Sequence, residues 1–308
     1  MSDFTSAKTS HRHGVISVLV ALPFVSLTGL FGKFLTLSPL LIVQGRTVFA
    51  FGALLLALFF LRKKIFFSDL REWLWLALSG SILGVHWIAF FQAIQVSTVA
   101  IGLLSFASYP LFTTLLEPLF FREPLRVRNV FAALIVICGL ALMASSSSDD
   151  SNTIISGSVF HGILWGLMAG FGFAVLTLLN RGHVRKHSAL LITCWQNGFA
   201  ALLILPWSLS ESWILSGKEL GLLFLLGVVC TVGGHTLLIN GLRHVRAQVA
   251  SLLIAGLEPV FAILFALFLL EEIPSLQTLL GGVLIISTTV FIIYGTEQKE
   301  IPEQAVSK

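Results

Sequence analysis

The chain has 308 residues, of which 56% are hydrophobic and only 11% are charged, and its mean hydropathy is +0.95. This composition excludes a soluble globular domain and is typical of a protein with many membrane spans. The net charge of +4 does not indicate nucleic-acid binding, because the basic residues lie between apolar segments and form no stripe interleaved with aromatic residues.

Ten apolar stretches, separated by charges, glycines and prolines, are long enough to cross a hydrocarbon core of roughly 30 Å as helices of about 20 residues. The predicted spans cover 14–33, 39–61, 72–94, 98–121, 127–144, 158–180, 188–209, 218–240, 247–270 and 276–295. The first span follows basic residues as a signal sequence would, but it is long and lacks a small-residue cleavage site, so we expect it to be retained. The sequence therefore predicts an all-α integral membrane protein with ten transmembrane helices.

The distribution of Lys and Arg predicts the orientation of these helices. With a cytoplasmic N-terminus, all but three of the 19 basic residues fall on the cytoplasmic side. The exceptions are Lys33 and Lys218 on the opposite side and Arg46 within a span. The positive-inside rule thus places both termini in the cytoplasm.

A polar segment, SSSSDDSNTIISGS at 145–158, divides the chain into two halves. The predicted organisation is a cytoplasmic tail (1–13), a first five-helix repeat (14–144), a periplasmic linker (145–157), a second five-helix repeat (158–295) and a cytoplasmic tail (296–308).

The two halves match each other at an offset of 149 residues. Residues that coincide are Gly84 with Gly233, His86 with His235, Pro110 with Pro259, Phe112 with Phe261 and Glu123 with Glu272. Because each half has five spans, an odd number, the halves enter the membrane in opposite orientations. Inverted repeats of this kind are typical of alternating-access transporters, whose substrate sites lie near the midplane where the repeats meet.

Two segments carry a family resemblance. LEPVFAILFALFLLEEIPSLQTLLGGVLI (Leu257–Ile285) and its weaker counterpart YPLFTTLLEPLFFREPLRVRNVFAALIVICG (Tyr109–Gly139) resemble the signature of EamA-type carriers of the drug/metabolite transporter superfamily. The resemblance implies ten helices in two inverted repeats, a cavity built mainly by the first, third and fourth helices of each half, and transport of small metabolites, often the export of amino acids. The first half departs from the pattern, because it has Tyr109 where the second half has Glu258.

Glu258 is the first candidate for a functional side chain. It lies 11 residues into the ninth span, about 16 Å from the start of that span and close to the bilayer midplane. A carboxylate at this depth is usually retained only where it faces a partner or a watery cavity. We predict that it binds a cationic group of the substrate or carries a coupling proton. The alternative is a protonated carboxyl group bonded between helices, where Pro259 frees a backbone carbonyl.

Three further residues are predicted to bind substrate together with Glu258. Tyr109 reaches a similar depth on the counterpart helix, so that its hydroxyl either contacts substrate or only packs. His86 and His235 lie on opposite sides of the central level and are predicted to face the two mouths of the cavity. Each has the alternative of a neutral histidine bonded to a neighbouring helix.

The tryptophans divide by depth. Trp165 and Trp195 lie deep enough to line the cavity with aromatic surface, and Trp165 is included among the predicted substrate-binding residues. Four others lie towards span ends and are predicted to be interfacial anchors: Trp73, Trp75, Trp87 and Trp213.

Arg46 lies in the outer third of the second span, about 10 Å below the surface. A guanidinium stays charged there and must find an acid, carbonyl groups or the interface. We therefore predict a structural role, or a side chain that reaches the outer interface by snorkelling.

Proline and glycine mark candidate hinges. Pro23, Pro110 and Pro259 interrupt the backbone hydrogen bonding of the first, fourth and ninth spans, and Gly84 and Gly233 recur in the third and eighth. Such positions permit the helix bending that rocking requires, although close packing through small residues explains the glycines equally well.

Together these features predict a secondary transporter of the inner membrane that exports a small polar or amphipathic metabolite, an amino acid or related amine being the leading class. Uptake or exchange by the same fold is one alternative, and a membrane-embedded enzyme or a channel is another. The sequence has no Walker motif, no HExxH pair and no nucleophile with a base, so we predict no enzymatic activity, no cofactor and no metal. The expected partners are the substrate, the lipid bilayer and a proton as coupling ion, without nucleic acid. The oligomeric state and the identity of the substrate are not predicted.

Overall fold

The computed structural model describes residues 2–121, 157–245 and 247–300, together with residues 131, 134, 135, 138, 139 and 142. All regular secondary structure in these residues is helical. The elements are α1 (Ser2–Phe34), α2 (Pro39–Phe60), α3 (Leu70–Val96), α4 (Val99–Phe106), α5 (Tyr109–Phe121), α6 (Gly157–His183), α7 (Ala189–Ser208), α8 (Gly217–Phe224), a π-helix (Leu225–His235), α9 (Thr236–Gly241), α10 (Ala247–Leu270) and α11 (Leu276–Glu300).

Eight segments within these ranges are long and apolar enough to cross a membrane. They are Arg12–Phe34, Pro39–Phe60, Leu70–Val96, Val99–Leu116, Gly157–His183, Ala189–Ser208, Gly217–Gly241 and Leu253–Leu270, and Leu276–Thr288 is a shorter apolar helix. Most of the predicted fifth span, most of the linker and Glu123 lie outside the described residues. Helix α1 begins well before the predicted first span, and α11 continues beyond the predicted tenth.

Serine and threonine caps determine where several helices begin. The side chains of Ser38, Thr98 and Ser188 each accept a hydrogen bond from the backbone N–H three residues later, at 3.2–3.3 Å. Ser216 and Glu219 form a reciprocal capping box at the start of α8. These side chains satisfy backbone donors that the first helical turn leaves without partners.

The predicted fourth span is broken between α4 and α5, at Ala107 and Ser108. The break has a local cause in Pro110, which lacks the N–H that would bond the carbonyl of Phe106 and whose ring would collide with that carbonyl. Pro23 and Pro259, in contrast, lie within helices that continue on both sides. The helix is therefore broken beside Pro110, whereas it continues through Pro23 and Pro259.

The predicted eighth span contains a π-helical stretch that the sequence did not reveal. In the π-helix, Leu225–His235, the hydroxyl of Thr231 donates to the carbonyl of Leu226 at 2.8 Å. The wider turn of a π-helix changes which side chains share a face, and such stretches often occur at functional sites. Gly233 lies within it, and a Cβ atom there would meet no atom closer than 3.9 Å. Close packing therefore does not explain this glycine.

The two halves pack against each other helix by helix. Helix α3 lies against α6 and α7, α2 against α7 and the π-helix, and α1 against α10, α9 and the π-helix. Small residues bring α3 and α7 together: a Cβ atom at Gly84 would lie 3.2 Å from Ile204 Cδ1, and one at Gly80 only 2.8 Å from the carbonyl oxygen of Gln196. The packing explanation thus applies to Gly84.

Substitution of Gly80 by alanine tests this interface. We expect Gly80→Ala to destabilise the protein by about 1–3 kcal/mol and to lower its melting temperature in detergent, because α3 and α7 must move apart. Gly52→Ala is the matched control, since Gly52 also lies in a helix but has no atom within 4 Å of an added Cβ. Equal melting temperatures for the two variants would contradict the close contact between halves.

Candidate functional site

A cavity lies between the two halves, and side chains from both halves line it. Its polar residues are Thr28, Arg46 and His86 from the first half and Cys230, His235 and Glu258 from the second. Its aromatic residues are Trp87, Phe90, Phe106 and Phe173. The cavity volume is about 40 Å³, which is room for a few water molecules but far below the volume of typical metabolite pockets. In this conformation the cavity is too small to hold a metabolite.

Three of the predicted site residues line this cavity together. Glu258 is 2% exposed, and among the described residues its carboxylate has no hydrogen-bond or ion-pair partner. His86 and His235, predicted at opposite mouths, both reach the same cavity. The two repeat-related histidines and Glu258 therefore line one cavity.

The two histidines differ in their bonding. His86 Nδ1 donates to the carbonyl oxygen of Ala169 on α6, at 2.8 Å. In the neutral ring this fixes the tautomer and leaves Nε2 as an acceptor. His235 Nε2 is buried without a partner, and the ring stands edge-on to Trp87 at 5.6 Å. Each histidine therefore contacts a helix from the other half. Such contacts are also what we expect if the histidines are neutral residues that only join neighbouring helices.

Arg46 was predicted to have a structural role or to snorkel to the outer interface, and the snorkelling alternative is wrong. It does not snorkel to the interface; it is 2% exposed and lines the cavity. Its Nε and Nη2 donate to Thr231 Oγ1 at 3.2 and 2.9 Å, and its Cζ lies 3.6 Å from the centroid of the Trp87 ring. Because the hydroxyl proton of Thr231 is already donated to Leu226, this oxygen is free to accept from the guanidinium.

The guanidinium remains incompletely paired. Arg46 Nη1 is buried without a hydrogen-bond partner, and no carboxylate among the described residues forms an ion pair with Arg46. The π-helix and α3 supply the hydroxyl and the ring that hold it, and neither was visible as a partner in the sequence. The one signal was the polar run Gln44 to Thr47 inside an apolar span.

Trp87 was predicted to be an interfacial anchor, and this is wrong. Its side chain is buried, lines the cavity and lies beneath Arg46. Trp165 and Trp195, predicted to line the cavity, do not. Trp165 packs against the main apolar core. Trp195 donates its indole N–H to the carbonyl of Ile65 at 2.7 Å and packs on Trp73.

Tyr109 also lies outside the cavity lining. It is fully buried, and its hydroxyl donates to the carbonyl of Ser251 on α10 at 2.7 Å. Its ring stacks on Phe106 at 5.1 Å and meets Phe173 edge-on at 4.8 Å. Tyr109 therefore supports the aromatic wall from behind and ties α5 to α10.

Polar contacts join the halves at both ends of the bundle. One end, the basic face, carries the α2–α3 loop (61–69) and the α6–α7 loop (184–188). There Glu72 lies 3.4 Å from His187, 3.6 Å from Lys186 and 3.7 Å from His183. Each of these pairs links the first half to the second.

The other end, the acidic face, carries the loops 209–216 and 271–275. Glu272 accepts from the backbone N–H of Val99 at 3.0 Å and lies 3.9 Å from Lys33 Nζ. Thr36 donates to Glu219 at 2.6 Å. The cavity therefore lies between two sets of contacts that cross from one half to the other.

Comparison with known proteins identifies the family. The sequence profile of the EamA-like transporter family matches residues 12–145 and 160–294. The chain belongs to this family. The expected resemblance to EamA-type carriers of the drug/metabolite transporter superfamily is thus confirmed, and the chain is a multi-pass membrane protein of a transporter family.

Named relatives are similar over much of the chain. An uncharacterized transporter of Bacillus subtilis, YwfM, is 27% identical over 261 residues, 81% of this chain and 84% of the relative. An S-adenosylmethionine uptake transporter of Rickettsia conorii is 30% identical over 195 residues, 62% of each chain, and so aligns over less than two thirds of its length. That of Rickettsia prowazekii is 31% identical over 208 residues, 67% of this chain and 66% of the relative.

A protein of known crystal structure has the same fold. It superposes with a TM-score of 0.65 over 96% of this chain and 99% of its own, at 16% sequence identity.

The position of Tyr109 leads to a prediction for this EamA-like transporter. Tyr109→Phe removes the bond to Ser251 and is expected to lower stability by about 1 kcal/mol, measured as a lower melting temperature. The apparent substrate affinity in counterflow should stay unchanged, because the hydroxyl does not reach the cavity. Thr113→Val is the control, since that hydroxyl bonds only within its own helix. A loss of affinity without a loss of stability would restore the substrate-binding role.

Proposed function

We propose that the protein is a secondary carrier of the inner membrane that moves a small polar metabolite by alternating access. Two inverted five-helix repeats (14–144 and 158–295), joined by a periplasmic linker (145–157) and flanked by cytoplasmic tails (1–13 and 296–308), rock around the central cavity. In this arrangement the chain has ten transmembrane helices, and the basic face is cytoplasmic. The supporting observation is the cavity itself, where Arg46 and His86 of one half meet His235 and Glu258 of the other.

The leading substrate class is an amino acid or a related amphipathic metabolite. The cavity combines cationic and acidic side chains with four aromatic rings, which suits a molecule that carries both charged groups and an apolar part. The relatives named S-adenosylmethionine uptake transporters fit this class, since that metabolite is an amino acid with an additional cation and a nucleoside. Their names favour uptake as the second candidate direction beside export.

Alternating access also has support at the two ends of the bundle. If the halves rock, the contacts of Glu72 on the basic face and those of Glu272 on the acidic face cannot both persist while the cavity opens. Each set is a candidate gate that breaks when the cavity opens to that side. Pro110, Pro259 and Gly233 lie on helices that border the cavity and are the positions proposed to bend.

The role of Glu258 can be tested by Glu258→Gln in proteoliposomes. We expect the apparent affinity for a cationic or zwitterionic substrate in counterflow to fall at least about 10-fold, because the amide cannot compensate a positive charge. Glu271→Gln, which changes an exposed carboxylate at the end of α10, is the control. If counterflow persists while proton-driven transport and its pH dependence are lost, Glu258 carries the coupling proton. Unchanged counterflow and an unchanged pH profile would exclude both roles.

The two gates can be tested by cysteine labelling, with Cys138, Cys194 and Cys230 replaced by alanine. Phe67→Cys reports access at the basic face and Ser97→Cys at the acidic face. We expect Glu72→Gln to raise labelling at residue 67 and lower it at residue 97, and Glu272→Gln to do the reverse. The changes should be about 2- to 5-fold, as expected for loss of partly exposed ion pairs worth up to about 1 kcal/mol.

Glu271→Gln again provides the background for this experiment. Labelling that rises at both ends in either gate variant would indicate a continuous pore or a loosened bundle instead of exchange between two states.

A further inference from the structure

The guanidinium of Arg46 has an unusual environment for a buried charge. Taking an ion out of water costs several kcal/mol, and proteins normally offset this with an opposite charge or a full set of hydrogen bonds. Arg46 is 2% exposed, and within the described parts of the chain it has neither. Its polar contacts are both with one hydroxyl, that of Thr231. The site is thus electrostatically incomplete.

The free part of the guanidinium has a defined geometry. Thr231 occupies the edge that carries Nε and Nη2, and Trp87 covers one flat side at 3.6 Å. The centroid of the Phe91 ring lies 5.6 Å from Arg46 Cζ. Nη1 keeps both of its N–H groups without a partner. A ligand must therefore approach in the plane of the guanidinium, which is the geometry in which arginine binds a carboxylate.

The surroundings hold this geometry in place before any ligand arrives. Thr231 is fixed by its own bond to Leu226 within the π-helix. The Trp87 ring is buried between the halves and meets His235 edge-on. Preorganised donors of this kind lose little conformational freedom on binding, so more of the interaction contributes to affinity.

We propose that Arg46 is the carboxylate-binding residue of this carrier and that the cavity selects zwitterionic substrates, whose cationic group is bound by Glu258. The inference rests on the proposed transport function. Arg46 belongs to α2 of the first half and Glu258 to α10 of the second, and both line the one cavity without a charged partner. A substrate with only one charge leaves the other buried side chain uncompensated. A zwitterion compensates both and draws the two halves together.

The experiment compares each amino acid with a counterpart that lacks the carboxylate, either its amide or its decarboxylated form. L-Phenylalanine, L-methionine and S-adenosylmethionine are tested against L-phenylalaninamide, L-methioninamide and decarboxylated S-adenosylmethionine, by counterflow and by thermal stabilisation of the purified carrier. For at least one pair we expect wild type to prefer the acid by about 10- to 100-fold, the range for a charge-assisted bidentate contact.

Arg46→Gln should abolish this preference by weakening binding of the acid while leaving the amide nearly unchanged. Arg46→Lys keeps the charge but lacks the planar fork, and it should retain only a small part of the preference. If Arg46→Gln does not fold, Arg46→Lys and Thr231→Val provide the same comparison, since Thr231→Val releases the guanidinium without removing it. Lys218→Gln, an exposed cation on α8, should keep the full preference.

The possible outcomes distinguish a failure of the proposed role of Arg46 from a failure of the proposed carrier function. Transport in which wild type accepts the amide as well as the acid, or in which Arg46→Gln still prefers the acid, overturns the role of Arg46 and leaves the carrier function standing. A protein that transports no probe, and whose two ends do not respond oppositely in the labelling experiment, contradicts the carrier function itself.

Discussion

A positive charge held inside a membrane bundle is the constraint around which the site is built. The guanidinium of Arg46 is charged at physiological pH, so the surrounding helices must supply the stabilisation that water would otherwise give. Trp87 offers the face of an indole and Thr231 offers a hydroxyl oxygen, at 3.6 and 2.9 Å. Both partners come from elements that also form the contact between halves. The placement of α2 against the π-helix and α3 is therefore inseparable from the chemistry of the cavity.

The π-helix links that local requirement to the fold. In an α-helix a threonine hydroxyl returns its proton to the carbonyl three or four residues earlier. Thr231 instead bonds Leu226, five residues earlier, which matches the wider π turn. Cys230 and His235, which belong to the same π-helix, also line the cavity. Arg46, the partner of Thr231, lines it from α2. The irregular turn thus presents its polar side chains to the interface between halves, at the cost of regular hydrogen bonding in this span.

Sequence reasoning recovered the parts of this molecule that depend on composition and repetition. Hydrophobic length predicted ten spans, and eight helices long and apolar enough to cross a membrane are found among the described residues. The 149-residue offset paired His86 with His235, and both line one cavity. Depth along a helix was a weaker guide, because it does not say which way a side chain points. Trp87 was predicted to lie at the membrane interface but lines the cavity, whereas Trp165 was predicted to line the cavity but packs against the core. Tyr109 was predicted either to contact substrate or only to pack, and it lies behind the aromatic wall.

Arg46 shows why the rest was not predictable from the sequence. The prediction for Arg46 used only its distance from the membrane surface, because the sequence did not identify a partner. That partner, Thr231, lies 185 residues away, in a π turn that has no sequence signature. No motif marks a threonine as the acceptor for a buried guanidinium. Only the packing of the two halves brings these residues into contact, and that packing rests on long-range approaches such as Gly80 against Gln196.

The two repeats differ at the charged positions of the cavity, and this difference bears on the orientation in which a zwitterion would bind. At the same offset Arg46 corresponds to Trp195 and Glu258 to Tyr109, so each of these two charged cavity residues is matched by an aromatic residue in the other half. Both aromatic counterparts are packed away from the cavity: Trp195 against the α2–α3 loop and Tyr109 behind Phe106. A symmetric pair of arginines and glutamates would allow a substrate to bind in two opposite orientations. With one charge of each sign, contributed by different halves, a zwitterion can satisfy both only in one orientation, and its binding necessarily depends on how far apart the halves stand.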